Sequence, residues 1–312
     1  MDDFTPEQCF NNFRFQKADI LTLVEVVGIP DRVRTDNRSV FSRNEALLIL
    51  LSRLAYPCRL GDQSRELGRE YSQQSRVVSW MVEFIVGKHG HIITDGFDGW
   101  VLNLPIFADT IRAKRGFGEE TEKGRVFALM DGTLRPHCRP ANPGIQTATN
   151  PGCKRLNGIK FQGVVLPNGL LCDVAGPAVG RRNDAWLLME SNLNPKVCDA
   201  LEGLPVQYVV YGDTAYSMLS QVKRGQRETY TITVEEREAN KRMSTCRISI
   251  GRAFGKVLQL WPFLDFEKNS QLHLQPIAHL CIVGALLTNM HTCLYGSQTG
   301  HYFDLNPPGL KE

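Results

Sequence analysis

Residues 158–176, GIKFQGVVLPNGLLCDVAG, decide the fold class because they read as two β-strands joined by a tight turn. Apolar and β-branched residues fill both halves, and Pro167-Asn168-Gly169 between them is a typical turn sequence. Two further apolar segments are VFALMDG at 126–132 and VQYVVYGD at 206–213. The latter is nearly all apolar, as expected of a strand buried on both faces of a sheet.

Helices are predicted around these strands. NDAWLLMESNL at 183–193 starts with Asn183, a good capping residue, and the segments 233–261 and 277–296 read as long helices. The helix at 277–296 is apolar enough to be buried on most sides. Strands first and helices later, with a buried central strand, predict an α/β layered fold.

The N-terminal third reads as helical. SRNEALLILLSRLAYP at 42–57 predicts a helix that Ser42 caps, with Glu45 completing a capping box. The charged, glycine-containing stretch 114–125 is the best candidate for a boundary. We therefore predict an N-terminal helical region at 1–113, a catalytic-type domain at 126–296 and a loosely held tail at 297–312.

Residues 59–90 predict two helices joined by a glycine-containing turn, the first capped by Asp62 and ending near Gly68. This pattern is typical of a helix-turn-helix, and equally of an ordinary helical hairpin. In the first interpretation the start of the second helix, from Gln73 through Arg76, would meet DNA bases and phosphates.

The net charge of +3 does not by itself indicate a class of binding partner, but the basic residues cluster between 222 and 256. Such a stripe can follow a phosphate backbone, or it can be a solvated helix face. Nine scattered cysteines without a CxxC motif are typical of reduced thiols in a cytosolic or nuclear protein. The acidic N-terminus does not resemble a signal peptide, the longest apolar run (280–287) is shorter than a bilayer span, and no membrane partner is expected.

Two predicted strands are followed by an acid at their carboxyl ends, Asp131 in ALMDGT and Asp213 in VVYGDTAY. Ligands of open α/β sheets bind at that edge. Adjacent carboxylates repel each other unless a cation lies between them, and such oxygen ligands suit Mg²⁺ or Mn²⁺. The alternative is that each aspartate simply forms a turn at the end of its strand.

Five segments in this order resemble the PIF/Harbinger transposase family of DDE superfamily endonucleases. They are ALMDGT (128–133), KRLNGIKFQGVVLPNG (154–169), GRRNDAWLLMESNL (180–193), VVYGDTAYS (209–217) and RISIGRAFGKV (247–257). The resemblance extends from about residue 40 to about residue 295. It implies a ribonuclease H-like mixed sheet flanked by helices, preceded by the small helix-turn-helix region.

The resemblance also implies a function. Such enzymes are hydrolases that cut DNA at transposon ends with a divalent cation, Mg²⁺ or Mn²⁺, act in the nucleus, and usually have a Myb-like DNA-binding partner protein. Homo-oligomers are expected as well. Asp131 and Asp213 correspond to the first two catalytic acids and metal ligands. Asp184 matches a further family acid and is expected at the metal, although it could instead complement the dipole of its helix.

The third acid is missing. The family pattern places glutamate two residues before the alanine that precedes Phe-Gly, and this chain has Gly251 there. Glu238 is thirteen residues upstream, roughly 20 Å away on a helix, and Glu235 and Glu236 are farther. Asp265 and Glu267 lack a helical register that reaches the position. Restoring the pattern therefore needs a change at residue 251.

Two outcomes follow from this sequence. Either the remaining aspartates hold one ion and weak hydrolysis survives, or the protein is a domesticated or decayed copy that only binds DNA. A pure protein scaffold is a third alternative without specific support. The residues expected to contact DNA are Arg76, Arg237, Lys241, Arg242, Arg247, Arg252 and Lys256.

Overall fold

The computed structural model describes residues 4–115, 124–150, 152, 157–216, 219–224, 233–267 and 275–311. Within these described residues, a small two-stranded antiparallel β-ribbon precedes a five-stranded sheet. The ribbon consists of β1 (Arg32–Arg34) and β2 (Val40–Ser42). The sheet consists of β3 (Arg125–Pro136), β4 (Gly158–Val165), β5 (Leu171–Val179), β6 (Tyr208–Gly212) and β7 (Val222–Arg224).

The sheet is mixed, with the spatial order β5–β4–β3–β6–β7. Strands β3, β4 and β5 are antiparallel neighbours, and the turn between β4 and β5 contains Gly169 in the left-handed region at φ +87°. Strands β6 and β7 continue the sheet on the other side of β3 in parallel. The predicted hairpin, the central strand and the ribonuclease H-like α/β architecture are confirmed.

Helices precede the sheet, connect its strands and follow it. The first six are α1 (Pro6–Phe13), α2 (Lys17–Val27), α3 (Arg43–Ala55), α4 (Leu60–Leu67), α5 (Tyr71–His89) and α6 (Leu104–Arg115). The others are α7 (Pro143–Thr149), α8 (Asp184–Glu190), α9 (Leu193–Ala200), α10 (Val234–Leu260), α11 (Ile277–Tyr295) and α12 (Gln298–Phe303). Short 3₁₀ turns lie at Gly90–Ile93, Asp98–Asn103 and Pro262–Asp265.

The two faces of the sheet pack against different helices. On β3, Leu129 belongs to the hydrophobic cluster that contains α10, α11 and the N-terminal helices. Its neighbour Met130 belongs to a second cluster with α8 and α9. We call these the α10 face and the α8 face. Because side chains alternate along a strand, the residues of β3 from Leu129 onward can each be assigned to one of them. Before Leu129 the register shifts between Val126 and Ala128.

The predicted helix at 42–57 is buried more completely than its pattern suggested. Every residue of α3 from Ala46 to Ala55 is buried, because α1, α2, α5 and the turn at Pro262–Asp265 surround it. Ser42 caps the helix by accepting from the Glu45 backbone N–H at 3.3 Å. The predicted capping box is incomplete, since the Glu45 carboxylate accepts instead from Arg69 Nε at 2.6 Å.

Helices α4 and α5 form the predicted helical hairpin, with Gly68 at φ +72° ending the first helix. Asp62 lies inside the first turn of α4 rather than capping it, because Arg59 occupies the cap position. Gln74 cannot read bases: its side chain is fully buried, and Nε2 donates to the Arg69 carbonyl at 2.9 Å. Arg76 remains exposed and lies 3.8 Å from Asp36.

The C-terminal segment is held more firmly than predicted. Residues 297–312 contain α12, Phe303 is buried in the core, and Thr299 Oγ1 donates to the Ser249 carbonyl at 2.9 Å. Helix α11 is long and apolar enough to cross a membrane, but 67% of its most apolar window is buried inside the protein. That packing is typical of a core helix.

The N-terminal helices and the sheet share buried contacts. A single cluster of apolar side chains joins α3 and α5 to α10, α11 and Leu129 of β3. Most of the predicted boundary, residues 114–125, lies outside the described residues. The division into an N-terminal region and a nuclease domain therefore stays a prediction.

Close packing of α10 on β4 depends on Gly163, because a Cβ at this position would lie 2.7 Å from Phe254 of α10. We expect Gly163→Ala to lower the free energy of unfolding by about 1–3 kcal/mol, the usual cost of overpacking a core. Urea denaturation followed by circular dichroism would measure it.

Gly251→Ala is the matched control on α10 itself. A Cβ there meets no atom within 4 Å, so alanine should raise stability by up to about 1 kcal/mol through helix propensity. Equal destabilisation by both substitutions would contradict the packing described for Gly163.

Candidate active site

The parallel pairing of β3 and β6 brings two aspartates together. Leu129 pairs with Tyr211, and Asp131 and Asp213 each lie two residues further along, so they share a face and neighbouring positions. Adjacent strands are about 4.8 Å apart. Asp213 follows the end of β6 as predicted. Asp131 does not end its strand, because β3 continues to Pro136 through its pairing with β4.

Asp131 points to the α10 face. It pairs across strands with Gly163, the residue against which Phe254 of α10 packs. Burial raises the pKa of Asp131, and the nearby carboxylates of Asp213 and Asp184 raise it further. The Gly132 N–H, which donates to Oδ1 at 2.9 Å, and the Arg247 guanidinium act in the opposite direction. The three acids are thus close enough to interact.

Asp213 already has a cationic partner. Arg247 Nη1 of α10 lies 2.6 Å from Asp213 Oδ1, and both side chains are partly exposed. The same oxygen accepts from the Thr214 backbone N–H at 2.6 Å. Arg247, predicted to contact DNA, is therefore engaged by an acid of the site.

Asp184 lies on the other face of β3. Its helix α8 is capped as predicted by Asn183, whose side chain accepts from the Trp186 N–H. A Cβ at Gly132 would lie 3.2 Å from Asp184 Oδ1, and Gly132 points to the α8 face because Asp131 points to the α10 face. Lys160 Nζ donates to the same oxygen at 3.0 Å. The predicted role of Asp184 as a metal ligand stays a prediction.

Position 251 lies on the same side of α10 as the residues that touch this part of the sheet. It is four residues after Arg247, which binds Asp213, and three before Phe254, which packs on the strand partner of Asp131. Gly251 is exposed, and a Cβ there would meet open space. A longer side chain at this position therefore has room next to the aspartate pair.

A comparison with protein-family models matches residues 130–289 to the DDE superfamily endonucleases. The matched segment is half of the chain and contains all three aspartates. This chain belongs to the DDE superfamily endonucleases. No curated protein and no solved structure matches it. The family supports a nuclease- or transposase-like function with DNA as the substrate, and DDE nucleases generally use divalent metal ions.

Two acids on either side of position 251 in the sequence form ion pairs elsewhere in the fold. Glu238 is exposed and pairs with Arg242 at 3.2 Å. Asp265 lies 3.5 Å from Arg135. The side chains of Glu235 and Glu236 lie outside the described part of the chain. Because Glu238 and Asp265 are held by Arg242 and Arg135, these two acids do not take the place of the missing carboxylate, as expected from the sequence.

The donor set does not fit a complete metal centre. Asp131 and Asp213 carry the hard oxygen donors that Mg²⁺ and Mn²⁺ prefer. However, Asp213 is paired with Arg247, Asp184 is paired with Lys160 across the strand, and residue 251 has no side chain. Among the described residues, no group of three or more His, Cys, Asp or Glu is placed to hold a metal ion.

The basic residues of α10 divide into two groups. Arg237, Lys241 and Arg242 are exposed in the first half of the helix, where a phosphate backbone could reach them. Arg252 instead lies 5.6 Å from the ring centroid of Tyr302. Lys256 is turned inward and donates to the Gly296 carbonyl at 2.6 Å. Lys256 of the predicted DNA stripe is therefore used within the fold, whereas Arg252 stays exposed.

Three residues of the site were not predicted from the sequence as parts of it. Arg247 was assigned to DNA rather than to Asp213, and Lys160 was not singled out as the partner of Asp184. Tyr216 has a buried hydroxyl beside Gly132 and Asp184 that finds no hydrogen-bond partner in the described part of the chain. Burial raises the pKa of Tyr216, and the carboxylates of Asp184, Asp131 and Asp213 raise it further. All three residues lie within the quoted motifs, but no motif indicated these contacts.

The charges of Arg247 and Asp213 both act on the pKa of Asp131, in opposite directions. Removing the cation with Arg247→Met should raise the pKa of Asp131, whereas Asp213→Asn should lower it, because a like charge is lost. Carboxyl-carbon NMR titration of the wild type and the two variants would measure both shifts.

Arg65→Met provides the control for this titration. Arg65 is an exposed residue of α4 that pairs with Asp62 and has no place in the aspartate cluster. Shifts of the same sign in the Arg247 and Asp213 variants would contradict the arrangement.

Proposed function

We propose that this chain is a Harbinger-type, transposase-derived member of the DDE endonucleases that binds DNA and cleaves it poorly. The observation that carries the proposal is the geometry around position 251. Two aspartates face α10, but position 251 of the helix is glycine, and Arg247 of the same helix pairs with Asp213. A cationic side chain thus faces acids that would otherwise hold a metal ion.

We expect the missing third carboxylate to reduce both metal binding and the rate of DNA cleavage strongly. A missing ligand weakens metal binding and displaces the ion, and a displacement of about 1 Å can cost roughly 10²-fold in rate. In addition, an ion entering this site would compete with the guanidinium for Asp213. Asp131 and Asp213 still form the acid pair on which activity could be rebuilt, because both remain partly exposed.

DNA binding rests on the exposed arginines and lysine of α10. Their charges lie on the helix whose Arg247 contacts Asp213, so a bound backbone would pass near the aspartate pair. The Harbinger assignment further implies a nuclear location, a Myb-like DNA-binding partner, recognition of transposon-end-like DNA and assembly into homo-oligomers. These properties belong to the proposal and rest on the resemblance of the five motifs.

Restoring the third carboxylate tests the proposal. The wild type should show little Mn²⁺-dependent nicking of supercoiled plasmid, and Gly251→Glu should increase it at least tenfold, because the new carboxylate has open space beside the aspartate pair. Calorimetric titration with Mn²⁺ should show tighter binding by the same variant.

Gly251→Gln is the matched control, with nearly the same size and no charge. It should leave both nicking and Mn²⁺ binding at the wild-type level. Gly251→Glu combined with Asp213→Asn should lose the gain. Strong nicking by the wild type, or no gain by a folded Gly251→Glu protein that still binds DNA, would overturn the proposal.

DNA binding should depend on salt through the exposed part of α10. Arg237→Gln and Lys241→Gln should each weaken binding to duplex DNA and reduce the slope of log affinity against log salt by about 1. Fluorescence anisotropy with a labelled duplex at several salt concentrations would measure the slopes.

Two controls define the site of contact. Arg65→Gln removes an exposed charge on α4 and should leave the slope unchanged. Asp131→Asn should leave the affinity unchanged or improve it, because it removes a negative charge near the DNA path. A steep loss of binding on addition of EDTA would show that DNA binding needs a metal and would contradict the proposal.

A further inference from the structure

A cavity of about 690 Å³ lies between α10, α11, the start of α12 and the end of α1, away from the aspartate pair. Its volume is within the roughly 300–1,000 Å³ of typical small-molecule sites. The residues that line it include Arg14, Arg252 and Lys256, and no aspartate or glutamate among the described residues lines it. The cavity therefore has a surplus of positive charge.

Lys256 is the most informative of these cations. Its Nζ donates to Thr292 Oγ1 at 2.8 Å and to the Gly296 carbonyl at 2.6 Å, both neutral acceptors. No carboxylate of the described residues pairs with it, and burial lowers its pKa to about 8. A partly buried ammonium without a counter-charge is disfavoured, and an anion in the cavity would supply the missing charge.

Arg14, at another wall of the cavity, is also a cation whose hydrogen-bond acceptors are neutral. Within the part of the chain that the structure describes, its guanidinium donates to the backbone carbonyls of Asn11, Ala55 and Leu260, at 2.7 to 3.3 Å. Arg252 is exposed and stacks near Tyr302. The carbonyl acceptors around Arg14 are neutral and do not compensate its positive charge. Charge-assisted hydrogen bonds to an anion are open to both guanidinium groups.

The remaining walls are aromatic and polar. Phe10 is 42% exposed, and its ring lies edge-on to Tyr295 at 5.9 Å. His291 is 8% exposed, and neither of its ring nitrogens has a hydrogen-bond partner among the described residues. Burial and the charge of Lys256 lower its pKa to about 3, so the neutral imidazole provides no competing charge. A planar apolar group would find flat contact surfaces here.

We propose that this cavity binds a phosphate-bearing ligand of nucleotide size, with its phosphate at Lys256 and Arg252 and its planar part against Phe10 and Tyr295. The ligand could be a free nucleotide or the phosphorylated end of a DNA strand, which share this chemistry. The site is independent of the metal chemistry proposed above and does not require cleavage activity.

Isothermal titration with pyrophosphate, dAMP and ATP tests the site on the full chain. The wild type should bind ATP, and Lys256→Met should weaken binding at least tenfold, because the substitution keeps the aliphatic stem and removes the charge. Lys256→Arg should bind more tightly than Lys256→Met. Pyrophosphate should displace ATP, whereas adenosine should not.

Lys311→Met is the matched control, since this exposed lysine does not line the cavity. It should bind like the wild type. Circular dichroism would establish that each variant is folded. The absence of ATP and pyrophosphate binding at about 10 mM, or equal affinity in the Lys256→Met and Lys311→Met proteins, would overturn the proposal.

A second measurement distinguishes the two sources of phosphate. If strand ends are the ligand, a short duplex with 5′-phosphates should compete with ATP better than the same duplex without them. Equal competition by the two duplexes, with ATP still bound through Lys256, identifies a free nucleotide. Failure of the Gly251→Glu experiment would leave both of these results unaffected.

Discussion

The parallel pairing of β3 with β6, beside the antiparallel pairing of β3 with β4, is the constraint on which the site depends. It fixes which residues of β3 face α10 and which face α8, because neighbouring side chains on a strand point to opposite sides. Asp131 and Asp213 thereby share the α10 face. A register shift of one residue would separate them.

Helix α10 then determines what the aspartate pair can do. It approaches the sheet closely where Gly163 leaves room for Phe254, and the same helix side carries Arg247 and Gly251. One turn of helix thus places a guanidinium at Asp213 and an empty position beside the pair. The sheet brings Asp131 and Asp213 together, whereas α10 supplies a guanidinium to Asp213 and carries glycine at position 251.

The same helix contributes to two different environments. Its exposed first half carries cations that solvent and DNA can reach, and its second half turns Lys256 and Arg252 toward the cavity beside α11. A basic stripe in the sequence is therefore not a single functional surface. Position along the helix separates the cations of the first half, which face solvent, from Arg252 and Lys256, which line the cavity.

The sequence by itself determined the four strands β3 to β6, the long helices, the hairpin at Gly169 and the absence of a carboxylate at residue 251, but not the short strands β1, β2 and β7. Those features depend on local pattern, turn chemistry and residue identity. Only the tertiary structure decided that Asp184 lies across β3 with Lys160, that Arg247 belongs to Asp213, and that Gln74 is buried. Such pairings join residues that are far apart in the chain, and their partners are set by strand register and helix packing, which no local pattern encodes.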